Sequence, residues 1–320
     1  MVELPQRVTR TLRDQAGVIA RGHAIEAGLT KSDIDRLVRR REWVRLLPGV
    51  YVDHTGEPTW LQRAWGGVLY YAPAGLAASS ALRATAGPGW RPHDDAGPVW
   101  VAVASGRNVT ERVGYRIRYL AAFDKQVLSH THPPRMRFEE ACLDLVAITR
   151  SELDRIQLLA GACQSRRTTA HRLLSALARR SRMPDRRWLE AVLRDIADGT
   201  CSVLEHGYLT KVERPHGLPR ARRQNPARGS NGRVYRDVTY ERYDQHVELD
   251  GALFHDSPTA RDTDLERDLD AALACQASVR LGWGQVFGRP CRTAAKVGTL
   301  LAYRGWSGTV RACGPDCDAK

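Results

Sequence analysis

Between Val234 and Ser257 the chain reads VYRDVTYERYDQHVELDGALFHDS. Three carboxylates, Asp237, Glu248 and Asp250, stand on runs of Val, Tyr, Thr and Leu that read as two strands, and His255 follows at once. Strand side chains alternate, so Tyr235, Asp237 and Thr239 share one side. On the second strand His246, Glu248 and Asp250 share a face, while Val247 and Leu249 point the other way into a core. Paired as a hairpin through ERYDQ, the strands would bring Asp237 close to Glu248 or Asp250. Carboxylates that close repel unless a cation sits between them. Hard oxygen ligands with open positions suit Mg2+ or Mn2+, which can also meet substrate phosphates. The plainer reading is strand-end acids facing solvent, with Asp250-Gly251 as an ordinary turn pair.

Two neighbouring stretches bear on that choice. RARRQNPARGSNGR, residues 220–233, reads as a loop, and its Arg220, Arg222, Arg223 and Arg228 could clamp a nucleic-acid backbone. Upstream, SVLEHGYL lies on a helix near 202–212 and carries Glu205. Ser202 and Glu205 have the spacing of a capping box, so the glutamate could simply close its own helix.

The rest of the chain must position these groups, and its composition narrows the partners. The 320 residues suffice for two or three domains, and 49 Lys and Arg against 36 Asp and Glu leave a net charge of +13. Such an excess of cations favours a polyanion, most simply nucleic acid, although solubility alone is the bland rival. No apolar run is long enough for a membrane span and the N-terminus lacks a signal-peptide core, so a cytoplasmic protein without a membrane partner is expected. The seven cysteines, Cys142, Cys163, Cys201, Cys275, Cys291, Cys313 and Cys317, are odd in number and scattered, as in a reduced compartment. Cys313 and Cys317 form a CxxxC, but no second pair at suitable spacing stands nearby, which weakens a metal reading.

Residues 1–56 read as a helix-turn-helix followed by a hairpin. Val18, Ile19, Ala24, Ile25 and Ala27 form the apolar face of a helix that Gly28 can stop. Thr30 and Asp33 have capping-box spacing for a second helix. Ile34, Leu37 and Val38 give that helix an apolar face, while Lys31, Arg36, Arg39, Arg40 and Arg41 crowd the remaining surface. EWVRLLPGVYV then supplies two short strands around Pro48-Gly49, with Arg45 on the first. This is the order of a winged helix-turn-helix, whose second helix can enter the major groove. A small helical module with a solvated basic face is the alternative. Residues 57–195 read as an α+β connecting region with no convergent nucleophile, base or phosphate loop. TWLQRAWGGVLYYA, AASSALRAT, RFEEACLDLVAI and WLEAVLRDIAD read as helices, and VWVAVA as a buried strand.

From SVLEHGYL through VYRDVTY and HVELDGALFH to SVRLGWGQV, roughly residues 200–305, the chain resembles the Vsr-like, very-short-patch-repair branch of the PD-(D/E)XK nuclease superfamily. GLTKSDIDRLVRRREWVRLLPGVYV is similar to the winged-helix domain of AbiEi-type antitoxins. The resemblance implies a mixed α/β protein: a winged helix over 1–56, the connecting region 57–195, a restriction-endonuclease-like core over 196–312 and a tail, 313–320. It implies Asp237 as central metal ligand, with a second ligand from the Glu248 side chain or the Leu249 carbonyl. Asp250 belongs to the same acidic strand. His255 would assist the attacking water, and Glu205 would hold a metal-bound water or brace the metal's ligands from outside. The implied function is Mg2+-dependent hydrolysis of DNA; the alternative is a transcriptional regulator or antitoxin with a degenerate nuclease fold, acting as a homodimer or with a toxin-type protein partner. One departure stands out. Asp250 occupies the place of the usual lysine, so no ammonium is available there.

Overall fold

The computed structural model describes residues 4–88, 94–198, 202–229, 232–250 and 277–319. The chain is mixed α/β and divides into two compact units, residues 1–148 and 149–320.

Unit 1 begins with α1 (Gln6–Asp14), β1 (Val18–Ala20), α2 (Arg21–Glu26), α3 (Lys31–Arg39), β2 (Val44–Leu47) and β3 (Val50–Val52). The three strands form an antiparallel sheet in the order β1-β3-β2. The helix expected from Val18 onward is therefore split. Ala16 (φ 55°) and Gly17 (φ 85°) reverse the chain after α1. Val18 and Ile19 then bury completely as a strand paired with Val52 and Tyr51. A Cβ on Gly17 would run into the Asp53 carboxylate, so the reversal needs glycine there.

The two short helices that follow are set by local chemistry. Gly28 (φ 110°) ends α2 in a left-handed cap, with Leu29 N–H donating to the Ala24 carbonyl and Gly28 N–H to that of Ile25. Thr30 and Asp33 form the expected reciprocal capping box at the start of α3. Val8, Leu12, Ile19, Ala24, Leu29, Ile34, Leu37, Trp43 and Tyr51 make one small core beneath all three helices.

The remainder of unit 1 comprises α4 (Trp60–Tyr70), β4 (Gly75–Leu76), α5 (Ala78–Ala86), β5 (Val99–Ala104), β6 (Tyr115–Leu120), α6 (Phe123–Gln126), β7 (Val127–Leu128), β8 (Arg135–Met136) and α7 (Phe138–Ile148). Its five strands lie in the order β6-β5-β4-β8-β7. Gln62 on α4 joins this part to the N-terminal core. Its Oε1 accepts from Thr59 N–H at 2.9 Å in a capping box, and its Nε2 donates to the Ala16 carbonyl at 2.9 Å. The side chain is buried, so Gln62→Ala removes the partner of a half-buried carbonyl and of a helix-start N–H. That substitution is expected to cost about 2 kcal/mol, read as a lowered midpoint in urea denaturation.

Unit 2 opens with α8 (Glu152–Gln164), α9 (Ala170–Arg179), α10 (Arg186–Asp198) and α11 (Ser202–Gly207), the last running on into a π-helical turn, Tyr208–Glu213. A four-stranded sheet follows, made of β9 (Arg222–Gly229), β10 (Gly232–Tyr240), β11 (Gln245–Asp250) and β12 (Ala277–Gly282) in the order β12-β11-β10-β9. A second π-helical turn (Gly284–Gly288) leads into α12 (Pro290–Tyr303). β9, β10 and β11 are antiparallel neighbours, and β12 runs parallel to β11. The stretch 220–233, expected as a loop, is largely this β9–β10 pair, with Pro226 opposite Tyr235. Proline is tolerated because β9 is an edge strand, where a missing ladder N–H goes unused. Among the described residues no helix is long and apolar enough to cross a membrane.

Candidate functional site

The two strands singled out by their acids are adjacent and antiparallel, joined by a 3-10 turn at Glu241–Tyr243 and a left-handed Asp244 (φ 45°). Val238 pairs with Val247, Thr239 with His246 and Tyr240 with Gln245. Directly paired residues share a face, so His246, Glu248 and Asp250 lie on the Thr239 side. The recorded pairing ends at Val238 and Val247; one further step along the same register would set position 237 opposite position 248. The Asp237 side chain, and His255 altogether, lie outside the described residues. Val247 and Leu249 are buried on the other face, so a ligand role for Leu249 would fall to its carbonyl.

Glu248 is half-buried and already has partners. Ser278 Oγ donates to its Oε1 at 3.1 Å, and the Arg280 guanidinium stands 3.7 Å from Oε2. Both partners sit on β12 in parallel register, Arg280 beside Glu248 and Ser278 beside His246. Arg280 thus puts a guanidinium on the acid face, where sequence reading found no cation. Asp250 is half-buried at the strand end. Next to these acids His246 is buried, with Nδ1 3.2 Å from Thr239 Oγ1 and Nε2 3.6 Å from Asp244.

Glu205 is half-buried on α11. One turn later Tyr208 meets Tyr240, hydroxyl to hydroxyl, at 2.9 Å in the core. Tyr240 pairs with Gln245, so this anchor lies on the sheet face opposite Glu248. The start of α11 is capped from α10: Val203 N–H donates to Asp195 Oδ2 at 2.7 Å. Of the arginines expected to hold a backbone, Arg220 is exposed and Arg222 is exposed but paired with Glu241 at 2.9 Å. The side chains of Arg223 and Arg228 lie outside the described residues.

In unit 1, Lys31, Arg39, Arg40, Arg41 and Arg45 are exposed on α3, the turn after it and β2. Arg36 differs. It is half-buried and its Nη2 stands 2.6 Å from Asp33 Oδ1, one turn back on the same helix. Hydrogen bonds from the Thr30 hydroxyl and backbone N–H hold the Asp33 carboxyl below its ordinary range, with the Arg36 charge adding to them. Arg40 is 3.9 Å from Glu42. Arg41 occupies the left-handed position after α3 (φ 57°), where its N–H donates to Val38 and that of Glu42 to Leu37.

The structure also assembles a group that the sequence did not. His216, Cys291, Cys313 and Cys317 bring one ligand atom each to within 4.8 Å of one another. The CxxxC that lacked a second pair nearby finds its complement across the fold. Cys291 comes from the first turn of α12, and His216 from the loop after the π-helical turn. Backbone N–H groups of Cys313 and Ala319 draw the Cys317 thiol down to about 6. Burial, together with hydrogen bonding to Cys313 and Cys317, pushes that of Cys291 up to about 12.

No family model matches this chain, and no curated protein matches it.

Proposed function

We propose that this protein binds duplex DNA through its N-terminal module, and that the sheet of unit 2 carries a nuclease-like, metal-dependent hydrolytic site. The observation that carries the first half is the element order α1-β1-α2-α3-β2-β3 with exposed Lys31, Arg39, Arg40, Arg41 and Arg45 on α3 and the hairpin. That order is the one a winged helix uses, with α3 as the element offered to the major groove and the β2–β3 hairpin as the wing. Cations at such positions meet phosphates and fix register without reading sequence.

The second half rests on the β10–β11 register, which, extended one step past the Val238–Val247 pair, would place positions 237 and 248 side by side on the face that also carries Asp250. A divalent ion fits this face in one respect that bears on charge: Glu248 is half exposed, with oxygen lone pairs left beyond Ser278 and Arg280. Asp237, Glu248 and the Leu249 carbonyl would hold Mg2+ or Mn2+, which supplies Lewis-acid stabilisation of phosphoryl oxygens. Arg280 offers the positive charge that the Asp250 position lacks; a guanidinium stays charged, so it serves a phosphate rather than proton transfer. His255 keeps the role of assisting water. The rival reading, a regulator or antitoxin without catalysis, is favoured by the Glu248–Arg280 pair itself, which balances the acid with no ion at all.

Binding and cleavage measured on one preparation separate these readings. The full chain is expected to retard duplex DNA, and to nick supercoiled plasmid only with Mg2+ or Mn2+. Asp237→Ala is expected to abolish nicking and leave retardation unchanged. Nicking that survives this substitution removes Asp237 from the reaction, while retardation without nicking in the unaltered chain leaves the regulator.

A further inference from the structure

The tail after α12 has little apolar material of its own to hold it in place. Between Arg304 and Ala319 the residues form no helix or strand, and Cys317 is the single buried one. A segment with so little apolar burial has almost nothing to offset the entropy of fixing its backbone. It is attached chiefly by polar and edge contacts, Arg304 to Asp244 among them. Arg311 N–H donates to the His216 carbonyl at 2.8 Å, Arg292 pairs with Asp318 at 2.8 Å, and Val310 lies over Gly298 where a side chain would clash. A further attachment is the cluster of three thiols and an imidazole.

Two edges of the cluster have the length of coordination-shell edges, and all its ligand atoms lie within 4.8 Å of one another. Cys291 Sγ lies 3.6 Å from Cys313 Sγ, and Cys317 Sγ lies 3.6 Å from His216 Nε2. A tetrahedral ion with bonds of about 2.3 Å to sulfur and about 2.0 Å to nitrogen has edges of roughly 3.8 Å between sulfurs and roughly 3.5 Å between sulfur and nitrogen. The Cys291–Cys313 separation is far beyond the bond of about 2.05 Å in a disulfide. The imidazole is also oriented for the task. His216 is fully buried, and its Nδ1 is 2.9 Å from the Val212 carbonyl. A carbonyl only accepts, so Nδ1 carries the proton and the Nε2 lone pair faces the thiols. This is how backbone partners fix the tautomer of a ligating histidine.

We propose that His216 Nε2 and the sulfurs of Cys291, Cys313 and Cys317 hold one Zn2+ ion that fastens the C-terminal tail to α12 and to the loop after the π-helical turn. Three thiolates with one imidazole select zinc over the hard Mg2+ considered for the strand acids. Four protein ligands close the shell and leave no position for water or substrate, so the ion is structural. Binding exchanges the metal for the thiol protons: the three sulfurs bind as thiolates, their protons pass to solvent, and no electron is transferred. Because the ligands come from three segments, the ion contributes folding free energy to unit 2 and none to the chemistry of the strand acids.

The test uses the full chain, purified without a polyhistidine tag from zinc-supplemented medium and under reducing conditions. Elemental analysis is expected to find about one zinc per chain. Cys313→Ser, at an exposed position, is expected to lower that content several-fold, and Cys163→Ser, elsewhere in the unit, to leave it unchanged. Replacing the ion with Co2+ in the unaltered chain is expected to give visible tetrahedral d–d bands and thiolate-to-cobalt charge transfer. Stripping it with a chelator should lower the melting temperature and open the tail to protease. Zinc-free protein that gives no Co2+ spectrum overturns the proposal. So does iron in place of zinc, or a Cys291–Cys313 disulfide recovered from the native chain. None of these outcomes bears on DNA binding or on nicking by Asp237.

Discussion

Neutralising the five exposed cations of the N-terminal module together, as Lys31→Gln, Arg39→Gln, Arg40→Gln, Arg41→Gly and Arg45→Gln, is expected to weaken duplex DNA binding on the order of 1,000-fold near 0.1 M salt. Each phosphate left without its protein cation takes about 0.9 off the slope of log affinity against log salt concentration. Three to five such phosphates flatten that slope by about 3 to 4.5, and this is the more telling readout because folding defects do not produce it. The substitutions are chosen for silence in the fold. All five side chains are exposed. Arg41 is changed to glycine because its backbone is left-handed, where a residue without Cβ sits at no steric cost. Arg36→Gln is the internal control. Its guanidinium is 2.6 Å from Asp33, so it is half spent within the helix and should move the slope by less than Arg39→Gln. An unchanged slope in the fivefold variant would remove α3 and the hairpin from the binding surface.

That prediction rests on a region where local sequence was a good guide. Thr30 and Asp33 cap α3 as their spacing requires, and Gly28 ends α2. Both devices are complete within four or five residues, so nothing distant could override them. The same local logic misplaced Val18 and Ile19, whose apolar pattern suits a helix or a strand equally. The deciding partner, Val52 with Tyr51, lies more than thirty residues away. It also misread 220–233, where Arg, Pro, Asn and Gly signal a loop but an edge position accommodates them in a strand.

The candidate sites divide in the same way. The pairing of Asp237's strand with that of Glu248 was legible because a short turn joins them, and alternation then dictates which residues share a face. Arg280 was not legible. It reaches Glu248 through a parallel pairing, and a parallel crossover carries no register information in the sequence between. The His216–Cys317 contact spans 101 residues. Spacing rules for metal sites work where ligands come in close pairs; here one pair is present and the other two ligands arrive singly, from a loop and a helix start. The one local signal was CxxxC itself, within a tail otherwise too polar to pack.

The largest stability effect belongs to unit 1, at the pair formed by Arg118 on β6 and Asp144 on α7. Arg118 Nε and Nη2 donate to the two carboxylate oxygens of Asp144 at 2.8 Å and 3.0 Å, a bidentate fork. Exposure is unequal: the Asp144 side chain is 4% exposed and that of Arg118 is 46% exposed. Hydrogen bonding to Asp144 raises the guanidinium above its already high range, so Arg118 stays charged. The asymmetry predicts which change costs more. Arg118→Met leaves a carboxylate in the core without its guanidinium, and breaking a buried pair from one side costs about 3–5 kcal/mol. Water reaching the half-open arginine site reduces that toward the lower bound. Asp144→Leu instead frees an arginine that can turn to solvent, and its cost is expected to be about half as large. The double variant, Arg118→Met with Asp144→Leu, is expected to recover most of the loss, because an apolar pair of similar volume carries no desolvation penalty. Urea denaturation of the four proteins reads this as a coupling energy of about 2 kcal/mol or more. Additive losses would mean that the fork contributes packing alone, and that β6 is held on α7 by its apolar residues rather than by the charge beneath it.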